Sequence, residues 1–503
     1  MAKYRTTDVA AGQGLFLTVN LQKQLLPDSF EYMLNEIIGT KIDLSVFDKK
    51  YKNDQTGASA VPPSVLLKLI IYGYFKGCIS SRKIYELNND NIIAKALTGD
   101  MDIHWTTIAD FISGNKEEVK EMFVQVLAYC NELGLIGGEN FAGDGLRLPS
   151  NASIDMSGTE EQLNKRLAVY RKMAGKHILR HARKDEQGAS DAKAKKHFEK
   201  RQRQLNLRIE KIEKFLKKMD KKEGRDGKEI QSNVTDNESA MIHSSKGFIQ
   251  GYIGIAVSDQ KSQVVTGALA FGNANETEYL PEMLDKNAEN LQGAGVKIED
   301  GKKITVLADP NYYSEDNFRC CQERGVQAVI PDSQAKRRLG PDGQNRYDVE
   351  DFKYDEAGDC YECPNGKRLK YKRTTVQGGI EGKVYQASLT DCKGCPNFAK
   401  CSWSRKDQSE LVQGKVLRVT KNNVHGCLCR QMRKKLETVE YQDKYADRIQ
   451  IVEPVFADIR YCKGLNRFTL RGKEKVNIQW LLYCMVHNLG KCLNGRNAVK
   501  NSA

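Results

Sequence analysis

Three acidic residues sit at distant points of the chain in surroundings that suit chemistry on phosphates. Asp309 follows the apolar run Ile304–Leu307 in ITVLADPNYYSEDN, Asp144 lies in NFAGDGLRLPSNAS, and Glu453 in RIQIVEPVFADIRY. A carboxylate at the C-terminal mouth of a buried strand is where open α/β sheets hold a ligand or metal. Taken alone, Asp309 reads better as a turn cap. Three carboxylates in one pocket would offer the hard oxygen ligands that Mg²⁺ takes. Around Glu453 lie Tyr445, Arg448, Arg460, Lys463, Arg467 and Arg471, with Tyr461 and Phe468 between the cations. Cations interleaved with aromatics suit a groove that tracks a nucleic-acid backbone; the alternative is a helix face in solvent.

A second group is built from cysteines. Cys360 and Cys363, then Cys392, Cys395 and Cys401, follow the pattern C-x₂-C…C-x₂-C-x₅-C. Thiolates two residues apart converge on one tetrahedral Zn²⁺ from a tight knuckle. Five cysteines compete for four places; the favoured set is Cys363, Cys392, Cys395 and Cys401, with Cys360 spare. A closed four-cysteine site would be structural. His425, Cys427 and Cys429 form a weaker cluster without an assigned role, and His487 reads as a packed or hydrogen-bonded histidine.

The elements that must position these groups follow from periodicity. Residues 15–130 read as helical, with VLLKLIIYGYFKGCISSRKIYELNNDNIIAKAL as two helices broken near Gly77–Ser80 and a last helix ended by Gly137-Gly138. Short helices joined by polar turns suit a helix-turn-helix-like DNA-binding unit or a plain bundle. Phe141–Leu148 is a strand with glycines that allow close approach. Between Ser157 and Lys228 stand 23 Lys and Arg against 11 Asp and Glu, most of the chain's net charge of +14. Phe198, Leu205, Ile209, Ile212, Leu216 and Met219 form a coiled-coil seam, matched by Leu163, Leu167, Tyr170 and Ala174. A helical hairpin turning at Asp185–Ser190, either a phosphate-contacting arm or a dimer contact, is expected. Strands at 247–259 and 263–272, a helix ended by Gly293, the Asp309 strand, a helix from Ser314 and a short strand follow. That order resembles an RNase H-like sheet, in which the first strand lies beside the fourth, so Asp144 and Asp309 could meet. Pro454, directly after the third acid, disfavours a regular helix there.

With 503 residues, two to four domains are expected. A net charge of +14 points to a polyanionic partner. No apolar run is long enough for a membrane span, and MAKYRTTDVAAGQG lacks the apolar stretch of a secretory signal. Fourteen cysteines then suit reduced thiols or metal ligands. The expected location is cytoplasmic and nucleoid-associated.

Together, the segments resemble a DDE transposase of a bacterial insertion sequence, of the branch with a Tyr-Arg-Glu signature near its third acid. DGLRLPSNAS resembles the first-acid motif, ADPNYYSEDN the second and Tyr445–Arg460 the third; VPPSVLLKLIIYGYFKGCISSRKIYE resembles the family's N-terminal helical domain, and CPNGKRL with CxxCP its cysteine-bearing insertion. Two departures stand out: Asn311 where the family often has Gly, and four residues rather than three between Arg448 and Glu453. The resemblance implies an α/β fold with an RNase H-like mixed five-stranded sheet. The division is a helical DNA-binding domain at 1–135, a catalytic core at 136–333 with a basic coiled-coil insertion at 157–228, a zinc-ribbon-like insertion at 334–440, and the rest of the core at 441–503. It implies Asp144, Asp309 and Glu453 as catalytic ligands of two Mg²⁺ or Mn²⁺ ions, alongside one structural Zn²⁺. Double-stranded DNA, as element ends and target, would be the substrate, cleaved and joined at terminal inverted repeats by a homodimer. Two alternatives are a nuclease on the same sheet that cuts without joining, and a transposase-derived DNA-binding protein that has lost catalysis.

Overall fold

A computed structural model describes residues 19–50, 59–186, 192–219, 221–224, 227–244, 247–298, 303–332, 346–401 and 408–502. The N-terminal segment forms α1 (Phe30–Thr40), α2 (Pro63–Phe75), α3 (Ser81–Asp90), α4 (Ile92–Thr98), α5 (Trp105–Gly114) and α6 (Lys116–Glu132). Serine oxygens start two of them: Ser29 accepts from the Tyr32 N–H and Ser80 from that of Lys83. The expected pair of helices after Pro63 is three, because Asn91 ends α3 and its Oδ1 accepts the N–H groups of Ile93 and Ala94, both at 3.0 Å. α6 stops at Glu132, before the glycines expected to end it, and Gly134 takes the left-handed conformation at φ +65°. These helices share one hydrophobic core with the sheet and the C-terminal helix Lys473–Ser502. Tyr74 stacks on Tyr483 at 4.3 Å, and Cys130 meets Cys492 at 3.3 Å between sulfurs.

The central sheet is mixed. It holds β1 (Asn140–Pro149), β2 (Ala240–Ser244), β3 (Gly247–Asp259), β4 (Val265–Phe271), β5 (Thr305–Ala308) and β6 (Gln327–Val329). β1 pairs antiparallel with β3 and parallel with β5, and β5 pairs parallel with β6. The other edge of β3 is shared by β4 and β2. Six strands therefore replace the expected five; the extra strand, AMIHS, is too short and mixed to announce itself in sequence. Between β1 and β2 runs the hairpin α7 (Glu160–Glu186) and α8 (Ala192–Leu216). Its base is apolar, with Leu163, Leu167 and Ile212 buried and Tyr170, Ile209, Leu216 and Met219 packed around them. Farther out, Phe198 rests against His177 and His181. The expected turn at Asp185–Ser190 lies, from residue 187 on, outside the described residues.

α9 (Leu280–Gly293) and α10 (Glu315–Glu323) connect the later strands. A second, antiparallel sheet follows, with β7 (Lys353–Asp355), β8 (Cys360–Glu362), β9 (Arg368–Gln377), β10 (Ile380–Gln386) and β11 (Val416–Thr420) in the order β11-β10-β9-β8-β7. It has its own core of Val349, Phe352, Tyr361, Leu369, Tyr385 and Leu417. The chain returns through α11 (Leu428–Lys435), α12 (Val439–Ala457) and α13, the C-terminal helix. Ile451 and Val452 of α12 pack on Ala142, Leu307 and Val329, laying the helix across β1, β5 and β6.

Pro454 sits inside α12 without ending it, contrary to the sequence expectation. A proline at this position removes the N–H that would bond the carbonyl of residue 450. Gln263 supplies the missing donor: its Nε2 reaches the Gln450 carbonyl at 2.7 Å. No helix among the described residues is long and apolar enough to cross a membrane.

Candidate active site

The parallel pairing of β1 with β5 sets Gly143 opposite Ala308, so Asp144 and Asp309 follow at neighbouring strand positions. Each aspartate has one oxygen fixed by nearby backbone. Asp144 Oδ1 accepts from the Gly145 N–H at 2.8 Å, and Asp309 Oδ1 accepts from the Asn311 N–H at 2.9 Å. Asp309 thus caps a turn, as the simpler reading held, but only with one of its oxygens. The second oxygens face one guanidinium. Arg448, buried on α12, places Nη2 at 2.5 Å from Asp144 Oδ2 and 3.9 Å from Asp309 Oδ2.

A third carboxylate joins them that sequence reasoning missed. Glu276 follows β4 and is 3% exposed. Its Oε1 accepts from Arg147 Nη2 at 3.0 Å and from Asn311 Nδ2 at 2.9 Å. Its Oε2 is buried with no hydrogen-bond partner among the described residues. Asn311, the departure from the family pattern, therefore ties the turn after β5 to the loop after β4. The signal for Glu276 was the one used for Asp309: an acid shortly after an apolar strand.

Asp144, Glu276, Asp309, Arg147 and Arg460 line a cleft of about 480 Å³. Burial pushes the Asp144 carboxyl above its ordinary range, against the pull of Arg448. Burial does the same to Glu276, opposed by Arg147 and reinforced by the negative charges of Asp144 and Asp309. Burial also raises the Tyr445 phenol beside Arg448.

Glu453 is not among the residues that line this cleft. It is exposed on α12 and makes no hydrogen bond or ion pair with the described residues, although Arg460, seven residues on, reaches the cleft. Lys463, expected to contact phosphate, is 5% exposed, with its ammonium on Asp458. Burial and that ion pair leave it a structural cation. His487 also meets Asp458, Nδ1 at 2.5 Å, and its Nε2 lies 3.0 Å from the Gln263 carbonyl, in keeping with a hydrogen-bonded histidine. Arg467 and Arg471 donate to the carbonyls of Ser150 and Asn151.

The donor set suits a hard divalent cation: two aspartates share one positive group, and a buried glutamate oxygen has no donor. Among the described residues, no three His, Cys, Asp or Glu side chains are already drawn together as a metal site. Next to the second sheet, Cys401 is half-buried beside Cys363, Cys392 and Cys395, and desolvation pushes its thiol up. Cys360 lies apart on β8, its sulfur toward Asp355 at 3.8 Å. His425 is turned to the Phe352 carbonyl at 3.2 Å.

Residues 362–493 match the family model described as a transposase DDE domain, and residues 19–114 match a transposase domain (DUF772). No curated protein matches the chain. The chain is similar to a transposase DDE domain in one segment and to a transposase domain in the other, which supports a transposase, an enzyme that processes nucleic acid and binds DNA. The longer match includes Arg448, Glu453 and the clustered cysteines; Asp144, Glu276 and Asp309 lie outside it.

Proposed function

We propose that this protein cleaves DNA at the terminal inverted repeats of an insertion sequence and transfers the ends into target DNA, using Asp144, Asp309 and Glu453 on an RNase H-like sheet. The observation that carries this is the meeting of Asp144 and Asp309, 165 residues apart in the chain, on adjacent parallel strands and on one arginine. Divalent Mg²⁺ or Mn²⁺, two ions held by these carboxylates, would lower the cost of the developing negative charge and supply an activated water or 3′-hydroxyl.

The chain's own residues then have definite tasks. Asp144 and Asp309 are fixed through one oxygen each, which leaves the other to face the cleft. Arg448 neutralises that pair when nothing else does. Arg460 brings a cation to the cleft wall, where a scissile phosphate needs one. Glu453, exposed on α12, would approach when DNA fills the cleft. The helical unit at 1–135 and the basic hairpin α7–α8 would contact phosphates away from the cut, and two copies would hold the paired ends. Cys363, Cys392, Cys395 and Cys401 would hold a structural Zn²⁺ in the segment at 334–440.

The test is an assay with labelled element-end DNA and Mn²⁺, comparing wild type with Asp144→Ala, Asp309→Ala and Glu453→Ala. Nicking followed by joining, lost in each variant, is the expected result. Cleavage without joining would leave a nuclease. DNA binding with no Mn²⁺-dependent nicking would leave a binding protein.

A further inference from the structure

Glu276 has a burial and a geometry that its ion pair does not explain. The pair with Arg147 uses Oε1 alone, and Asn311 donates to that same oxygen. Arg147 is itself partly exposed and also donates to the His243 carbonyl at 3.2 Å. Oε2 is left buried without a donor, and a bare buried carboxylate oxygen is costly. A purely structural glutamate would turn both oxygens to donors.

Where that oxygen lies is informative. A Cβ added at Gly145 would stand 2.3 Å from Glu276 Oε2. The oxygen therefore presses against the backbone next to Asp144, and only a glycine at 145 leaves it room. The Thr277 hydroxyl donates to the Asn311 carbonyl at 2.6 Å, which ties the loop after β4 to the turn that Asp309 caps. Glu276 and both aspartates line the same cleft.

We infer that Glu276 is a metal ligand of this site, its Oε2 donating to the divalent ion that Asp144 and Asp309 hold. The inference rests on the two-aspartate reading above and adds a carboxylate to it, from the sheet side of the cleft. It also divides the work between the glutamates: Glu276 is in place before DNA arrives, whereas Glu453 has still to close on the site.

The test titrates Mn²⁺ into the full-length protein without DNA, following the free-ion signal by electron paramagnetic resonance. Wild type should bind, and Asp144→Asn should abolish binding. Glu276→Gln should weaken Mn²⁺ affinity by about ten-fold or more, the scale on which even outer partners of a metal site act. Arg147→Met should bind at least as tightly as wild type, because it removes a competing cation and spares the ligand. Wild-type affinity in Glu276→Gln would overturn the inference, and so would equal weakening in Glu276→Gln and Arg147→Met, the mark of a structural pair. If Glu276→Gln loses its folded circular dichroism spectrum, Glu276→Asp replaces it; an unchanged affinity there would count against the inference. Failure of wild type to bind, or full binding by Asp144→Asn, would sink the two-aspartate reading and this one together.

Discussion

Arg448 stands between Asp144 and Asp309, 2.5 Å from the first and 3.9 Å from the second, and is 6% exposed. It comes from a helix near the C-terminal end of the chain, so this contact joins α12 to the strands it crosses. A guanidinium here holds two carboxylates together that would otherwise repel across a partly buried cleft. Removing one partner of a buried pair leaves an uncompensated charge, at a cost of about 3 kcal/mol or more. Arg448→Met should therefore destabilise the ion-free protein by about that amount at pH 7, measured by urea unfolding. Added Mn²⁺ should recover part of the loss, giving a larger rise in Tm than wild type shows. Equal rises in Tm would mean that the arginine and the ion do not share the site.

Gln263 and Pro454 form a second such relationship. The proline leaves the Gln450 carbonyl without its helical donor, and the Gln263 amide replaces it at 2.7 Å. Gln263→Ala should cost about 1 kcal/mol, the usual net worth of one hydrogen bond. In a Pro454→Ala background the backbone N–H returns, so the same change should cost less. A double-mutant cycle by chemical denaturation reads the difference directly; strict additivity would show that the two residues do not communicate.

These two cases mark how far the sequence could be read. The pairing of β1 with β5 was legible because the two acid-bearing strands fall in an order that resembles an RNase H-like sheet, where the first strand lies beside the fourth. The hairpin was legible from its seam. Glu276 was not, because its partners Arg147 and Asn311 come from other segments and nothing local distinguishes it from the acids Glu278 and Glu282 nearby. Pro454 misled for the same reason: the group that compensates for it, Gln263, lies 187 residues before the Gln450 carbonyl it reaches. Lys463 read as one of several surface cations, and only the fold buries it against Asp458. The break at Asn91 was hidden by a strong apolar pattern on both sides.

The four clustered cysteines make a prediction independent of the acids. The Cys363 and Cys392 sulfurs already accept backbone N–H groups from Lys367 and Lys415, at 3.4 and 3.3 Å. Gly366 and Gly394 supply left-handed turns beside them, at φ +70° and +79°. Purified protein should carry about one zinc per chain by elemental analysis, as a closed four-thiolate site requires. Cys395→Ser should lose it and Cys360→Ser should keep it. Retention by Cys395→Ser would remove the proposed ligand set.

The hairpin α7–α8 should act through charge. Lys172, Lys176 and Arg180 are exposed on α7. If they touch DNA phosphates, replacing all three with Gln should weaken binding at every sequence. It should also lower the slope of log K against log salt by roughly 0.9 for each phosphate no longer neutralised. Fluorescence anisotropy across a salt series measures both. An unchanged slope, with altered sedimentation instead, would make the hairpin an interface between copies.

Asp458 provides a pH test that does not depend on the cleft. Burial raises its carboxyl, but hydrogen bonds from His487 and Lys463 outweigh burial and bring it down to about 2, from an ordinary value of 3.8. A carboxylate lowered by folding adds stability that is fully present above its unfolded value and disappears as pH falls through the folded one. Wild type should therefore lose stability between about pH 4 and pH 2 more steeply than Asp458→Asn, which has no such proton to take up. At pH 7 Asp458→Asn should be the less stable protein, because Lys463 is left buried beside a neutral amide. Thermal unfolding of both proteins across that range tests the pair. Parallel curves would show that Asp458 is not the group through which acid loosens the junction between α12 and α13.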